Sequence, residues 1–222
     1  MPASSKSRGP WALLIGAAIL AVGSAVTSYA EFTPLLRLGT SLDQRVAALS
    51  GAAILPGPSY SSKYRVLIDC NQALNSLEGN LLPPEPRQGL LNNCRQIART
   101  VLAEEPSYSL AWYIDALAAE GLRDEATVSA SLSRSQQSAA RQEWLSRARA
   151  ILAERHLDTL SPEAVTAYHA DLALLVQSRL GSTWVARRYV SDPAFRGLIT
   201  GIVEQLPSAA QRQFLRAVRA AS

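Results

Sequence analysis

The sequence predicts an all-α protein with one membrane-spanning helix at its N-terminus. Two observations lead to this fold class. Residues 11–30 form a run of twenty residues without a charge, and the rest of the chain places apolar residues at helical spacing with hardly any strand pattern. Of the 222 residues, 48% are hydrophobic and 18% are charged. This balance is typical of a globular chain that buries a core, and it excludes a disordered or collagen-like chain.

The first predicted element is the apolar segment of residues 11–30. Twenty helical residues at 1.5 Å each reach ~30 Å, which is the hydrocarbon thickness of a bilayer. Trp11 and Tyr29 lie near its two ends, as amphipathic rings do at headgroup level. Because two basic residues precede the segment, the positive-inside rule predicts a cytoplasmic tail at residues 1–10 and export of everything that follows.

The same segment also fits a secretory signal that is cut after Ala30, since small residues stand at Ser28 and Ala30. The apolar run is longer than the hydrophobic region of a usual signal, so an uncleaved signal-anchor is the favoured interpretation. Both interpretations export the remainder of the chain.

The next segment, residues 31–58, is predicted as a linker that contains a short helix at 41–54. The triplet Pro56-Gly57-Pro58 marks its end, because proline and glycine interrupt regular structure. An exported α-helical domain of residues 59–222 follows.

The two cysteines, Cys70 and Cys94, are predicted to form a structural disulfide. Each lies on an apolar helical stripe, and the two are equally far from Leu82 in a turn that contains glycine and prolines. An antiparallel hairpin turning at Leu82 places them opposite one another, which suits a disulfide in an oxidising compartment. Two free, packed cysteines remain an alternative, whereas a redox or metal pair lacks a CxxC spacing and neighbouring histidines. The two stripes consist of Leu67, Cys70, Leu74 and Leu77, and of Leu90, Cys94, Ile97 and Val101.

Downstream of the hairpin, start and stop signals divide the domain into further helices. In Ser161-Pro162-Glu163, serine caps a helix, proline fits its first position and glutamate favours the positive end of the dipole. Leu180-Gly181 is predicted to end that helix. The remaining predicted helices cover residues 107–120, 123–134, 139–155, 193–205 and 207–221, and the helix at 139–155 is predicted to face inward with Trp144, Ala148, Ile151 and Leu152.

Part of this helical region, about residues 88–155, resembles the tetratricopeptide repeat. The residues that carry the resemblance are Pro106-x5-Trp112-x3-Ala116 followed by Gly121-x4-Ala126, and Trp144-x3-Ala148 in a second copy 32 residues later. The glycine comes two residues early, and the second copy lacks both that glycine and the preceding proline. An irregular helical domain therefore remains an alternative. The resemblance implies a stacked-helix surface that binds other proteins. Trp112, Trp144 and Trp184 are the predicted interaction residues.

Few residues of the chain suggest catalysis or a cofactor. His156 and His169 are thirteen residues apart on different predicted helices, so no metal site is predicted. No nucleophile motif surrounds a serine, and no enzyme activity and no cofactor are predicted. Arg187-Arg188, between Trp184 and Tyr189, is the predicted anion-binding cluster, although such residues also cap helices and form surface ion pairs. Basic and acidic residues are mixed along the exported part, which disfavours nucleic-acid binding.

These observations together predict a membrane-anchored adaptor. We expect it in a bacterial inner membrane, with a periplasmic domain that positions partner proteins for cell-envelope assembly. The favoured pathway is polysaccharide synthesis or export. The bacterial assignment rests on arginine outnumbering lysine by twenty to two. The alternative function is a helical domain that binds or modifies an anionic envelope glycan or lipid.

Overall fold

The computed structural model describes residues 9–221, and these residues form helices joined by loops, with no strand in the described range. The predicted all-α class is therefore confirmed. Residues 1–8 of the predicted cytoplasmic tail lie outside the described range. The helices are α1 (Gly9–Leu38), α2 (Leu42–Gly51), α3 (Tyr60–Asn75), α4 (Leu77–Asn80), α5 (Pro84–Glu104), α6 (Ser109–Gly121), α7 (Glu125–Ser138), α8 (Glu143–Glu154), α9 (Pro162–Gln177), α10 (Arg179–Ser191), α11 (Pro193–Glu204) and α12 (Ser208–Ala221).

Helix α1 is long and apolar enough to cross a membrane, since its stretch Leu13–Leu38 has 26 residues and none of its apolar 18-residue window is buried against the rest of the described chain. The helix continues eight residues past the predicted end at Ala30, through Pro34. A proline inside a helix leaves the carbonyl four residues earlier without its usual donor. Here that carbonyl belongs to Ala30, and the Gly57 backbone lies so near it that a Cβ on Gly57 would be 2.9 Å from the oxygen.

The last turns of α1 are attached to the helical domain. The Glu31 carboxylate accepts hydrogen bonds from the Ser59 backbone N–H at 2.7 Å and from the Ser59 hydroxyl at 2.6 Å. Ser59 is also the N-cap of α3, since its hydroxyl accepts a hydrogen bond from the Ser62 N–H. Pro34 and Leu38 are buried. The membrane-length helix and α3 are therefore joined by both polar and apolar contacts.

The segment between these helices packs on the domain, although the sequence suggests a linker. The expected short helix is present as α2, and its Val46 and Leu49 are buried against the core. The Asn93 side chain of α5 donates a hydrogen bond to the Leu49 carbonyl at 2.8 Å. The backbones of α2 and α5 approach closely at Gly89, because a Cβ there would lie 2.3 Å from the Ser50 carbonyl oxygen.

Helices α3 and α5 form the predicted hairpin, and the Cys70–Cys94 disulfide joins them with a Cα–Cα distance of 5.7 Å. Both cysteines are fully buried. The predicted stripe is wrong at Leu77, which is 69% exposed. Ser76 ends α3 and caps α4, so that Leu77 no longer follows the face of α3.

The remaining helices stack in sequence, each packing on its neighbour from α5 through α12, with α9 contacting α7, α8, α10, α11 and α12. The predicted starts at Pro162, Pro193 and Ser208 are confirmed within a residue. The predicted end at Leu180-Gly181 is wrong, because α9 ends at Gln177 and Ser178 caps the next helix by accepting from the Gly181 N–H. Sequence reasoning missed α10 for this reason.

Helix α8 also differs from the prediction. Leu152 is buried as predicted, and Ala148 packs against the core, but Trp144 is 44% exposed and Ile151 is 38% exposed. The buried face is formed instead by Leu145, Ser146, Arg149, Ala150, Leu152 and Ala153. The face of α8 that is buried carries Arg149. Because arginine is not an apolar residue, a search for apolar residues at helical spacing does not identify this face.

Candidate functional site

A polar cavity of about 500 Å³ lies where the start of α3 meets the α5–α6 and α7–α8 loops. We call it the tyrosine cleft. Aromatic side chains and hydrogen-bonding groups from three separate parts of the chain converge on it, which is the usual construction of a ligand site. Its lining consists of Tyr60, Tyr64, Glu105, Ser107, Tyr108, Ser109, Leu110, Ser138, Ala139, Gln142 and Trp144.

Three tyrosines form one aromatic wall of the cleft. The Tyr60 ring stacks on Tyr64 at 6.2 Å between centroids and on Tyr108 at 5.5 Å. Tyr60 and Tyr64 are one helical turn apart on α3, whereas Tyr108 arrives from the loop before α6. Tyr60 and Tyr64 are exposed, so part of each ring is open to solvent in the cleft.

The single charged residue of the cleft lining, Glu105, is held by a lysine beneath it. The Lys63 ammonium lies 2.6 Å from the Glu105 carboxylate and 2.8 Å from the Glu104 carboxylate, and the lysine side chain is almost entirely buried. Hydrogen bonds to Glu104 and Glu105 raise the pKa of Lys63. The Lys63 ammonium is therefore paired with two carboxylates and is not available to bind an anion in the cleft.

The Tyr108 hydroxyl is buried and makes no hydrogen bond of normal geometry. Burial, together with the nearby Tyr60 and Glu105, raises the pKa of Tyr108. The phenol consequently stays protonated at neutral pH and is an O–H donor in the wall of the cleft. A buried donor without a partner is costly, and such groups are often completed by a ligand.

The floor of the cleft is fixed by a buried polar network. The Ser109 hydroxyl donates to the Ser135 carbonyl at 2.6 Å, and the Ser135 hydroxyl donates back to the Ser109 carbonyl at 2.8 Å. Arg149 lies below them and binds Asp171 through two hydrogen bonds of 2.6 and 2.7 Å. One guanidinium nitrogen of Arg149 also reaches the Ser135 carbonyl at 3.3 Å. The network connects α6, α7, α8 and α9, so the loops that line the cleft rest on a rigid base.

A second cavity of about 620 Å³, which we call the apolar groove, shares Tyr60 and Tyr64 with the tyrosine cleft. It is formed between the last turns of α1 and the outer face of α3. Most of its exposed wall is apolar, and the cavity lies next to the junction between Glu31 and Ser59. Its lining consists of Glu31, Phe32, Leu35, Tyr60, Ser61, Ser62, Tyr64, Arg65 and Ile68.

The structure places the predicted anion-binding arginines on α10, away from both cavities. Arg188 makes ion pairs with Glu154 and with Asp192, and its guanidinium lies 4.0 Å from the Phe195 ring centroid. Arg187 is exposed. The two guanidinium groups do not converge on one point, because adjacent residues of a helix point about 100° apart.

The three predicted interaction tryptophans are dispersed over three helices. The Trp112 indole N–H donates to the Pro106 carbonyl at 2.7 Å, and the Arg134 guanidinium covers its ring. The Arg147 guanidinium covers the ring of Trp184, which is partly buried. Trp144 borders the tyrosine cleft, whereas Trp112 borders a separate cavity between α5, α6 and α7.

The two histidines lie on different elements, His156 just after α8 and His169 within α9. The two ring nitrogens of His156 lie 2.8 Å from Glu125 and 3.1 Å from Glu120. His169 is exposed and contacts the Tyr168 ring. Within residues 9–221 no group of three or more histidine, cysteine and acidic side chains has the arrangement of a metal site.

Sequence reasoning missed the tyrosine cleft. The spacing of Tyr60 and Tyr64 was visible and indicates one helix face. Tyr108 and Gln142 are far along the chain, and only the stacking of α3, α6 and α8 brings them to the same place. Comparison of the chain with models of known families, with curated proteins and with solved structures finds no significant match.

Proposed function

We propose that this protein is a membrane-anchored adaptor whose exported helical array holds partner proteins at the surface of a bacterial inner membrane. The observation that carries the proposal is the fixed junction between an exposed helix of membrane length and a stacked helical domain. In this proposal the N-terminus is cytoplasmic, the domain is periplasmic, and the partners belong to cell-envelope assembly, with polysaccharide synthesis or export the favoured pathway.

The junction supports an adaptor because it restricts where the domain can lie. Glu31 binds the N-cap of α3, and Leu38 is buried a further two turns along the same helix. A flexible linker would let the domain diffuse over several nanometres of the periplasm. A helix that runs from the bilayer into the domain instead fixes its height and orientation above the membrane.

The outer face of α8 supports protein docking. Trp144 and Ile151 are seven residues apart, so they lie on the same face two turns from each other, and both are exposed. Ala148 lies between them and leaves a shallow apolar strip. Exposed aromatic and aliphatic side chains of this kind are typical anchor residues of protein interfaces.

Photocrosslinking in cells tests the adaptor function. A photoreactive phenylalanine analogue at Ile151 should join the protein to another envelope protein. The same analogue at Leu77, an exposed apolar residue of α4 outside the strip, is the matched control and should give no such product. In a second chain carrying the probe at Ala148, Ile151→Glu should abolish the product, because a carboxylate would be desolvated at the interface. Recovery of no envelope protein at Ile151 would contradict the proposal.

A further inference from the structure

We propose that the apolar groove and the tyrosine cleft are two halves of one binding site for a lipid with a saccharide head group. The inference rests on the proposed membrane anchoring, because it requires the groove to face the bilayer surface. The two cavities share Tyr60 and Tyr64 and differ in chemistry. A ligand that occupies both must be apolar at one end and rich in hydrogen-bonding groups at the other.

The apolar half lies where a lipid tail would arrive. Phe32 and Leu35 belong to the turns of α1 that follow Tyr29, which marks the end of the uncharged segment. Both are exposed, and Ile68 of α3 faces them across the groove. Exposed apolar side chains beside a membrane interface bury their surface in acyl chains, which stabilises the bound state in proportion to the area removed from water.

The polar half has the chemistry of a saccharide site. A sugar ring presents C–H groups on its face and hydroxyls at its edge, so it stacks on tyrosine rings while it hydrogen-bonds to polar side chains. The cleft offers both, with the stacked tyrosines on one wall and Ser107, Ser138 and Gln142 on the others. The buried Tyr108 hydroxyl makes no hydrogen bond of normal geometry within the protein, and a ligand hydroxyl would accept one from it.

The charges of the cleft indicate an uncharged head group. Glu105 is the one charged residue of the lining, and its lysine partner, Lys63, is already bound to two carboxylates. A phosphate or sulfate would meet a carboxylate and no free cation in this cavity. This distinguishes the cleft from the cluster at Arg187 and Arg188, whose chemistry would favour an anion.

The test uses the full chain in nanodiscs of phosphatidylcholine that contain a minor fraction of digalactosyldiacylglycerol, a neutral lipid with a sugar head. Discs with phosphatidylglycerol in its place provide the same tails with an anionic head. Native mass spectrometry after release from the disc should show the glycolipid retained about tenfold more than either phospholipid. Hydrogen exchange should slow in the loops at 105–108 and 139–142.

Two substitutions and one control locate the site. Tyr60→Ala should reduce glycolipid retention by about tenfold, because it removes the ring common to both cavities. Tyr108→Phe keeps the ring and removes only the buried hydroxyl, so it should weaken retention by several fold while the melting temperature stays at or above that of the wild type. Trp184→Phe, at a ring outside both cavities, should leave retention unchanged.

Equal retention of the three lipids, or equal retention by wild type and Tyr60→Ala, would overturn the inference. So would binding of soluble digalactosylglycerol as tight as that of the lipid, because the groove would then contribute nothing. Alkaline extraction of membranes reports the anchor separately. A chain that stays in the membrane, keeps its crosslink at Ile151 and shows no glycolipid preference would contradict this inference and leave the adaptor proposal standing.

Discussion

Among fully buried side chains, Arg149 is the largest, and it shows how a single charged residue organises the fold. Its guanidinium forms a bidentate ion pair with Asp171 and further hydrogen bonds to Ser146 and Ser135. Taking both charges out of water is costly, so the net stability of such a pair is small. The pair matters more for the arrangement of the helices than for the net stability, because every hydrogen-bond partner of the guanidinium must stay in place to compensate the buried charge.

Replacement of Arg149 by methionine is therefore expected to destabilise the protein strongly. The variant leaves the Asp171 carboxylate buried without a partner, and breaking a buried pair in this way costs about 3–5 kcal/mol of unfolding free energy. The double variant Arg149→Met, Asp171→Leu should recover most of this loss. Urea denaturation of the purified full chain in detergent, followed by circular dichroism, measures both.

The matched control for this prediction is Arg155→Met. Arg155 also forms a two-bond ion pair, with Glu120, but its side chain is 45% exposed. Exposed pairs contribute about 0–1 kcal/mol. A loss at Arg149 no larger than the loss at Arg155 would contradict the role given to the buried network.

At the scale of elements, the space around each glycine shows whether it lies at a contact between helices or on an open helix surface. A Cβ on Gly89 would lie 2.3 Å from the Ser50 carbonyl, so α2 and α5 touch backbone to backbone there. A Cβ on Gly197 of α11 would meet nothing within 4 Å. The same substitution at these two positions should therefore change stability in opposite directions.

Gly89→Ala is expected to push α2 away from α5 and to lower the unfolding free energy by about 1–3 kcal/mol through overpacking. Gly197→Ala is expected to raise it by about 0.5–1 kcal/mol, because alanine loses less backbone entropy in a helix. Thermal unfolding monitored by circular dichroism gives both signs. Stabilisation by Gly89→Ala would mean that α2 does not pack on α5 as described.

The disulfide gives the second prediction at this scale. It closes a loop of 24 residues between α3 and α5, and the chain-entropy model assigns such a loop a stabilisation of about 3–4 kcal/mol. Replacing both Cys70 and Cys94 by alanine should lower the unfolding free energy by roughly this amount. Reduction of the wild-type protein in denaturant, compared with the oxidised form, measures the same quantity without a change of side chain. Similar midpoints for the two forms would contradict it.

Local signals in the sequence were sufficient for most helix boundaries and for the disulfide. Ser161 caps a helix as predicted, and Asp192 caps α11 in the same way, because a cap depends only on residues within the next turn. The same rule predicts α10 from Ser178, but Gly181 favours a helix end and conceals this signal in the sequence. In the structure Gly181 lies inside α10. A Cβ at this position would lie 2.6 Å from the Leu175 carbonyl oxygen, which is too close for a side chain.

The orientation of α8 and the tyrosine cleft could not be predicted in this way. Apolar spacing predicts Trp144 and Ile151 inward, whereas the adjoining face of α8, which carries Arg149, is buried and pairs with Asp171. That pairing depends on a residue 22 positions away. The cleft depends on still longer separations, since Tyr60, Tyr108 and Gln142 meet only through helix stacking.

At the scale of the whole molecule, the disulfide and the membrane-length helix support the same location for the domain. Disulfides persist in oxidising compartments, and the domain holds a buried one directly after a helix that is apolar and exposed. The basic residues before the helix, Lys6 and Arg8, favour a cytoplasmic N-terminus. Export of the domain accounts for the helix, the charges and the cysteines together.

Export predicts the outcome of reporter fusions and of thiol labelling in intact cells. Alkaline phosphatase fused after residue 222 should be active and a cytoplasmic fluorescent reporter dark, because the proposed export carries the C-terminal domain across the membrane. Cys70 and Cys94 should resist an alkylating agent until a reductant and a denaturant are added, since both are bonded and buried. The mature protein should keep its full mass of 23.9 kDa if α1 is an uncleaved anchor, whereas cleavage after Ala30 would remove thirty residues. A fluorescent C-terminal reporter, or ready labelling of both thiols in untreated cells, would contradict export and with it the adaptor at the periplasmic surface.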